Sequence, residues 1–122
     1  PRSLPFGDLA RGADGPSLRA ELVDLWLATG ALDFHLHEPP LADAGAPRPL
    51  ACSVARWHAV HGGPLTNRWH QEVHLEDAPM RSVLGLLDGT RTLADVARAA
   101  GCTDAVAGAC VEAIARAALL VG

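Results

Sequence analysis

The chain contains no lysine and no tyrosine. Its basic side chains are all arginine, which reads as coding bias before function. Ten arginines against fourteen acids leave a net charge of −4 with histidine neutral. A phosphate-backbone binder needs clustered positive charge, so this balance argues against nucleic acid as a partner. Aromatics are only 4% of the residues while 49% are hydrophobic, so the core has to come mostly from Leu, Val and Ala. The three cysteines, Cys52, Cys102 and Cys110, are odd in number and form no CxxC. Disulfides are therefore not expected, and a reducing cytoplasm is the predicted compartment. No apolar run approaches the roughly 18 residues of a membrane span, and no charged-then-apolar start marks a signal peptide. Neither GxGxxG nor GxxxxGK[ST] occurs, which removes the common nucleotide loops. The first residue is Pro1, in what reads as mid-domain sequence, so a piece of a larger protein is predicted.

What is present is a run of helical and alternating patterns. Leu4 to Ala13 predicts a short helix with Pro5 in its first turn. Ser17 is a candidate cap for a stronger helix from Leu18 to Thr29, with the stripe Leu18, Leu22, Leu25 and Trp26 and a terminal Gly30. Leu32, Phe34 and Leu36 then alternate with Asp33, His35 and His37, as on a half-buried strand. Residues 41–50 are a Pro- and Ala-rich loop. Ser53 to Val60 predicts a helix capped by Ser53 and stopped by Gly62-Gly63-Pro64. Arg68 to Leu75 alternates again and could pair with the first strand. Met80, Val83, Leu84 and Leu87 form one apolar stripe. Thr92 and Asp95 predict the start of a helix running to Ala100. Thr103 to Ala118 predicts another, with Val106, Cys110, Val111, Ile114 and Ala118 inward. Leu119 to Val121 continues as a strand or as the helix end.

The predicted fold is α+β, with two winged-helix-like units of helices and short strands. Residues 1–50 hold the first unit, lacking its first helix, and the Pro-rich loop. Residues 51–76 hold a connecting helix and strand. Residues 77–122 hold a mainly helical second unit.

Few residues invite chemistry. If the two strands paired with polar faces aligned, His35, His37, His70, Glu72 and His74 would converge in a density suited to Zn²⁺. The plainer alternative is two solvated faces, which an antiparallel sheet with one dry side shows anyway. Ser17, Ser53 and Ser82 lie in no nucleophile-elbow sequence, and Cys52 lies six residues from His58. A recognition helix from Thr103 to Ala118 would present Asp104, Ala105, Ala107, Gly108 and Ala109, which is acidic and bare for DNA. Ala105, Ala107, Gly108 and Ala109, with Trp57 and Trp69, suit a protein–protein surface instead, unless both Trp side chains pack in the core. In the turn Asp88-Gly89-Thr90-Arg91, Asp88 can bond back to turn amides and Gly89 can take positive φ. Arg91 there can reach a carbonyl or carboxylate.

Three blocks carry a resemblance. LVDLWLATGALDFH from Leu22 to His35, with His37-Glu38-Pro39-Pro40, resembles the predicted methyltransferase regulatory domain family. So do PLTNRWH from Pro64 to His70 and LLDGTR from Leu86 to Arg91, in the same order, and the resemblance extends over nearly the whole chain. The resemblance implies an upstream S-adenosylmethionine-dependent domain of Rossmann type in the same parent chain, and some relatives are similar to bacterial protein-lysine methyltransferases. It carries over no catalytic, cofactor or metal residue, and no cofactor is expected in the present segment. The implied role is regulation or substrate docking, with the methyltransferase domain and a protein substrate as partners and no membrane or nucleic acid. A winged-helix module that binds peptide or DNA is the alternative.

Overall fold

The computed structural model describes residues 4–32, 34, 42–75 and 77–121. Among them lie six helices, α1 (Phe6–Leu9), α2 (Gly15–Thr29), α3 (Ser53–His61), α4 (Ala78–Leu86), α5 (Leu93–Ala100) and α6 (Asp104–Arg116). A two-stranded sheet, β1 (Leu65–Thr66) with β2 (Glu72–Val73), lies between α3 and α4 in the chain. The architecture is α+β and mostly helical. Residues 2–38 form one compact unit and residues 39–122 another.

In the first unit α2 begins three residues before the predicted Leu18. Asp14, not Ser17, is the cap: its carboxylate accepts the Ser17 N–H at 3.3 Å, and Pro16 sits in the first turn, where no N–H is needed. The Ser17 hydroxyl lies inside the helix and donates to Glu21 at 3.3 Å. Gly30 closes α2 in the left-handed region at φ 61°, with its N–H on the Trp26 carbonyl at 2.8 Å. The predicted stripe is not sealed: no residue of α2 is buried, and Leu25 and Trp26 stay nearly half exposed. Trp26 meets Phe34 edge-to-face at 5.8 Å. The predicted helix over 4–13 shrinks to α1, with Pro5 at its cap. Most of the predicted strand 32–37, including His35 and His37, lies outside the described residues.

The second unit is built on α4, α5 and α6. Val83 and Leu84 of α4, Val96 of α5 and Val111 and Ile114 of α6 are buried together with Leu87, Leu119 and Leu120. The start of α5 follows the sequence closely. The Thr92 hydroxyl accepts the Asp95 N–H and the Asp95 carboxylate accepts the Thr92 N–H, both at 3.3 Å, a complete capping box. In α6 the inward residues are Ala107, Cys110, Val111 and Ile114, while Val106 faces out. Cys110, Val111, Ile114 and Ala118 are buried as predicted, and Ala107 is buried where Val106 was expected. After α6 the chain extends: Leu120 bridges Ala51 antiparallel, and Leu50 bridges Asp88. Residues 50–52 thus run as a ribbon between two partners, with the Ala51 N–H on the Leu87 carbonyl at 2.8 Å and the Cys52 N–H on the Leu119 carbonyl at 2.9 Å.

Two further expectations change. Ser53 is the first residue of α3, and Cys52 holds the cap position without a side-chain bond. The predicted strand 68–75 reduces to β2, and its partner is β1, in register Leu65↔Val73 and Thr66↔Glu72. The reason lies in Asn67. Its buried side-chain oxygen accepts the N–H groups of Trp69 and Gln71, each at 2.9 Å, and folds residues 68–70 into a turn with His70 at φ 61°. An Asn that bonds its own downstream backbone favours a turn over a ladder.

Candidate functional site

The chemistry-bearing side chains stay dispersed. His70 sits in the hairpin turn, and His74 lies 3.9 Å from Glu72 with both exposed. His35 and His37 lie outside the described residues, and the described strand β2 pairs with β1. Among the described residues, no three His, Cys, Asp or Glu side chains gather to hold a metal ion. Among the same residues no hydrogen bond joins Ser17, Ser53 or Ser82 to a histidine. Cys110 is buried, and burial together with neighbouring Cys102 pushes its thiol up, away from the reactive thiolate.

The turn after α4 is heavily bonded. Asp88 accepts from the Thr90 N–H at 2.9 Å and from the Thr90 hydroxyl at 2.6 Å, and Arg91 pairs with its other oxygen. Those bonds, the Thr90 hydroxyl first, push the Asp88 carboxyl down to about 2. Arg91 also donates to the Leu86 carbonyl at 3.4 Å, which ties the turn back to the end of α4. Gly89 takes φ 78°, and its N–H reaches the Pro49 carbonyl at 3.2 Å. These bonds tie the turn to the end of α4 and to Pro49.

Within residues 39–122, two apolar surfaces are open among the described residues. On α3, Val54 and Trp57 are exposed, and the Trp57 ring stacks on His61 at 4.5 Å and 17°. His58 turns away to the hairpin, where its Nδ1 donates to the Pro64 carbonyl at 2.5 Å. The second is an open groove of about 410 Å³ where α3, α4 and α5 meet. Val60, Gly85, Leu86 and Ala100 form its apolar walls, with Arg81 and Ser82 alongside. The expected small-residue surface of α6 is partly spent on packing: Ala107 is buried, and a Cβ at Gly108 would lie 3.8 Å from Leu93 of α5. Trp57 is exposed and Trp69 half-buried, so a shared core role for the two is excluded. The groove was not foreseen. Gly85, a glycine inside an apolar helical stripe, is the signal that could have pointed to it, because such a glycine marks a close approach.

The family model described as PKMT, C-terminal winged helix domain, matches residues 47–110. That is 64 of the 122 residues and includes α3, the hairpin, the turn and the groove. The chain belongs to this family. It is thus a winged-helix accessory domain of the PKMT, or protein lysine methyltransferase, type. Its fold is similar to the solved structure of PKMT2 from Rickettsia typhi, with a TM-score of 0.72 and 19% identity, covering 98% of this chain and 31% of that one. It is similar too to PKMT2 from Rickettsia typhi in complex with AdoHcy, with a TM-score of 0.67 and 19% identity over 89% of this chain and 28% of that one. This winged-helix chain therefore spans about a third of the length of those proteins, and at that identity the likeness is one of fold. No curated protein matches the chain.

Proposed function

We propose that this winged-helix domain is the non-catalytic docking or regulatory part of a larger S-adenosylmethionine-dependent protein methyltransferase. The observation that carries the reading is the family match over residues 47–110, from before α3 into the middle of α6. The solved PKMT2 complex holds AdoHcy, the product form of that cofactor, in a chain roughly three times longer. Here the cofactor belongs to an upstream catalytic domain, and the present residues act by contact and by positioning a protein substrate. Exposed Val54 and Trp57 on α3 supply the kind of apolar anchor that such contacts use. The winged-helix alternative of DNA binding fits the surface poorly. Helix α6 opens with Asp104 and Ala105 and carries Glu112, with Arg116 paired to it at 3.7 Å.

Two measurements test the proposal. Calorimetric titration of the 122-residue chain with S-adenosylmethionine is expected to show no binding, and clear saturable heat would refute the assignment. Deleting this segment from the parent protein is expected to raise KM for the protein substrate more than it lowers cofactor affinity. Unchanged kinetics after the deletion would show that the domain neither docks nor regulates.

A further inference from the structure

Helix α2 is apolar on two sides. Leu18, Leu22, Leu25 and Trp26 recur at i, i+4, i+7 and i+8 and share one side. Val23 and Leu27, four positions apart, share another. Leu27 follows Leu18 by nine positions, about two and a half turns, so the two sides face opposite ways. The first side has company in its own unit: Leu18 and Leu22 are half-buried, and Phe34 meets Trp26. The second stays open, with Leu27 71% and Val23 43% exposed. A helix on the surface of a self-sufficient domain carries one apolar stripe, whereas a helix apolar on opposite sides is one that is buried. Burial of α2 therefore requires a body on the side of Val23 and Leu27. The family-matched segment starts at residue 47, so α2 is no part of the winged helix that defines the family. The PKMT2 fold nevertheless covers 98% of this chain, α2 with it, and that shared fold is only 31% of the PKMT2 chain. A chain of that type thus has a large body outside the present segment.

We propose that the Val23 and Leu27 side of α2 packs against the S-adenosylmethionine-binding part of the same parent chain. The identity of that partner rests on the methyltransferase reading above; the need for a covering body rests on α2 alone. Leu27 is the centre of the contact and Val23 its neighbour one turn back, the spacing at which two side chains enter a facing surface together. A second copy of the chain is a poorer occupant. An antiparallel, two-fold pairing that sets Val23 of one helix opposite Leu27 of the other brings Asp24 of each helix to the same flank, within a turn of its own copy. Like charges so placed repel. A different surface on the same chain meets no such conflict, and being tethered it is present at high effective concentration.

The test is photo-cross-linking in the full parent protein, with benzoylphenylalanine replacing Leu27 or Val23. Cross-linked peptides are mapped by mass spectrometry, and a mixture of isotopically light and heavy protein separates links within one chain from links between copies. Both positions are expected to link, within one chain, to residues outside the 122-residue segment. Leu27→Glu, which sets a carboxylate in the contact, is expected to cut the link from position 23 roughly tenfold. Amide exchange of α5 and α6 in that variant should stay as in the unaltered protein, which shows that the winged helix is intact. The proposal is overturned by links into residues 39–122, by links only between copies, by no links at all, or by cross-linking indifferent to Leu27→Glu. Cofactor titration of the same parent protein separates the two levels. Links elsewhere in a parent that binds S-adenosylmethionine defeat this inference alone, whereas links to a body that binds none defeat the named partner and the methyltransferase reading together.

Discussion

Gly85→Ala is the sharpest probe of how the groove is built. A Cβ at Gly85 would lie 2.9 Å from Val60 Cγ2, where ordinary contact begins at 3.4 Å. One of the two helices must yield by about half an ångström. Val60 cannot yield freely, because a β-branched side chain in a helix has one strongly preferred rotamer. Pushing it off that rotamer costs about 0.5–1.5 kcal/mol, and overpacking of this kind costs about 1–3 kcal/mol in all. Against that, replacing an interior helix glycine by alanine gains about 0.5–1 kcal/mol. The single variant should therefore fall between about neutral and about 2.5 kcal/mol less stable. In a Val60→Ala background the clash is gone, and the same Gly85→Ala change should stabilise by about 0.5–1 kcal/mol. Val60 is largely exposed, so its own truncation should cost little. Urea unfolding followed by far-UV circular dichroism reads the cycle, and each kcal/mol is about 4–8 °C in Tm for a domain of this size. If Gly85→Ala stabilises equally in both backgrounds, α3 and α4 are not in close approach and the inner wall of the groove is misplaced.

Three other outcomes follow from the same geometry. Thr92→Ala removes one arm of the capping box on α5 and should cost about 1 kcal/mol in chemical denaturation, with Thr92→Ser restoring most of it. Asp88 is held at about 2 against an ordinary 3.8, so its contribution is complete above pH 4 and is lost as pH falls toward 2; Asp88→Asn should flatten the acid limb of the stability profile, and identical limbs would contradict the bonding of the turn. In hydrogen exchange, the amides of α2 should exchange well before those of α6, since α2 buries no residue whereas α6 buries four.

What the sequence made legible was local. The Thr92–Asp95 box, the stripe of α4 and the Gly30 stop depend on residues within a few positions of one another, and all three stand in the structure. The misses came from side chains that compete with an obvious pattern. Asp14 displaced Ser17 as a cap because the helix starts earlier, at Gly15 and Pro16, and the Asp14 carboxylate takes the Ser17 amide. Asn67 broke an alternation that otherwise reads as one long strand. The outward turn of Val106 reflects tertiary choice: Ala107 is fully buried while Val106 is 42% exposed. The groove is illegible for a deeper reason: it is made by three helices that meet, and no single window of sequence contains it.

The family-matched segment and the physical folding unit of this winged-helix domain do not coincide. The match ends at Cys110, in the middle of α6. Beyond it lie Val111, Ile114, Leu119 and Leu120, all buried at 2% exposure or less in the same cluster as Leu84 and Leu87. Full burial of one such side chain is worth about 1.5–3 kcal/mol. Four of them amount to roughly 6–12 kcal/mol, which is comparable with the whole 5–15 kcal/mol that holds an ordinary domain together. Leu120 also bridges Ala51, so the last residues fasten the first ribbon of the matched segment to the helices. A chain cut after Cys110 would lose both the far half of the core and that bridge. The segment that defines the family therefore depends for its fold on residues outside it, and any study of the groove or the Asp88 turn has to carry the chain through Val121.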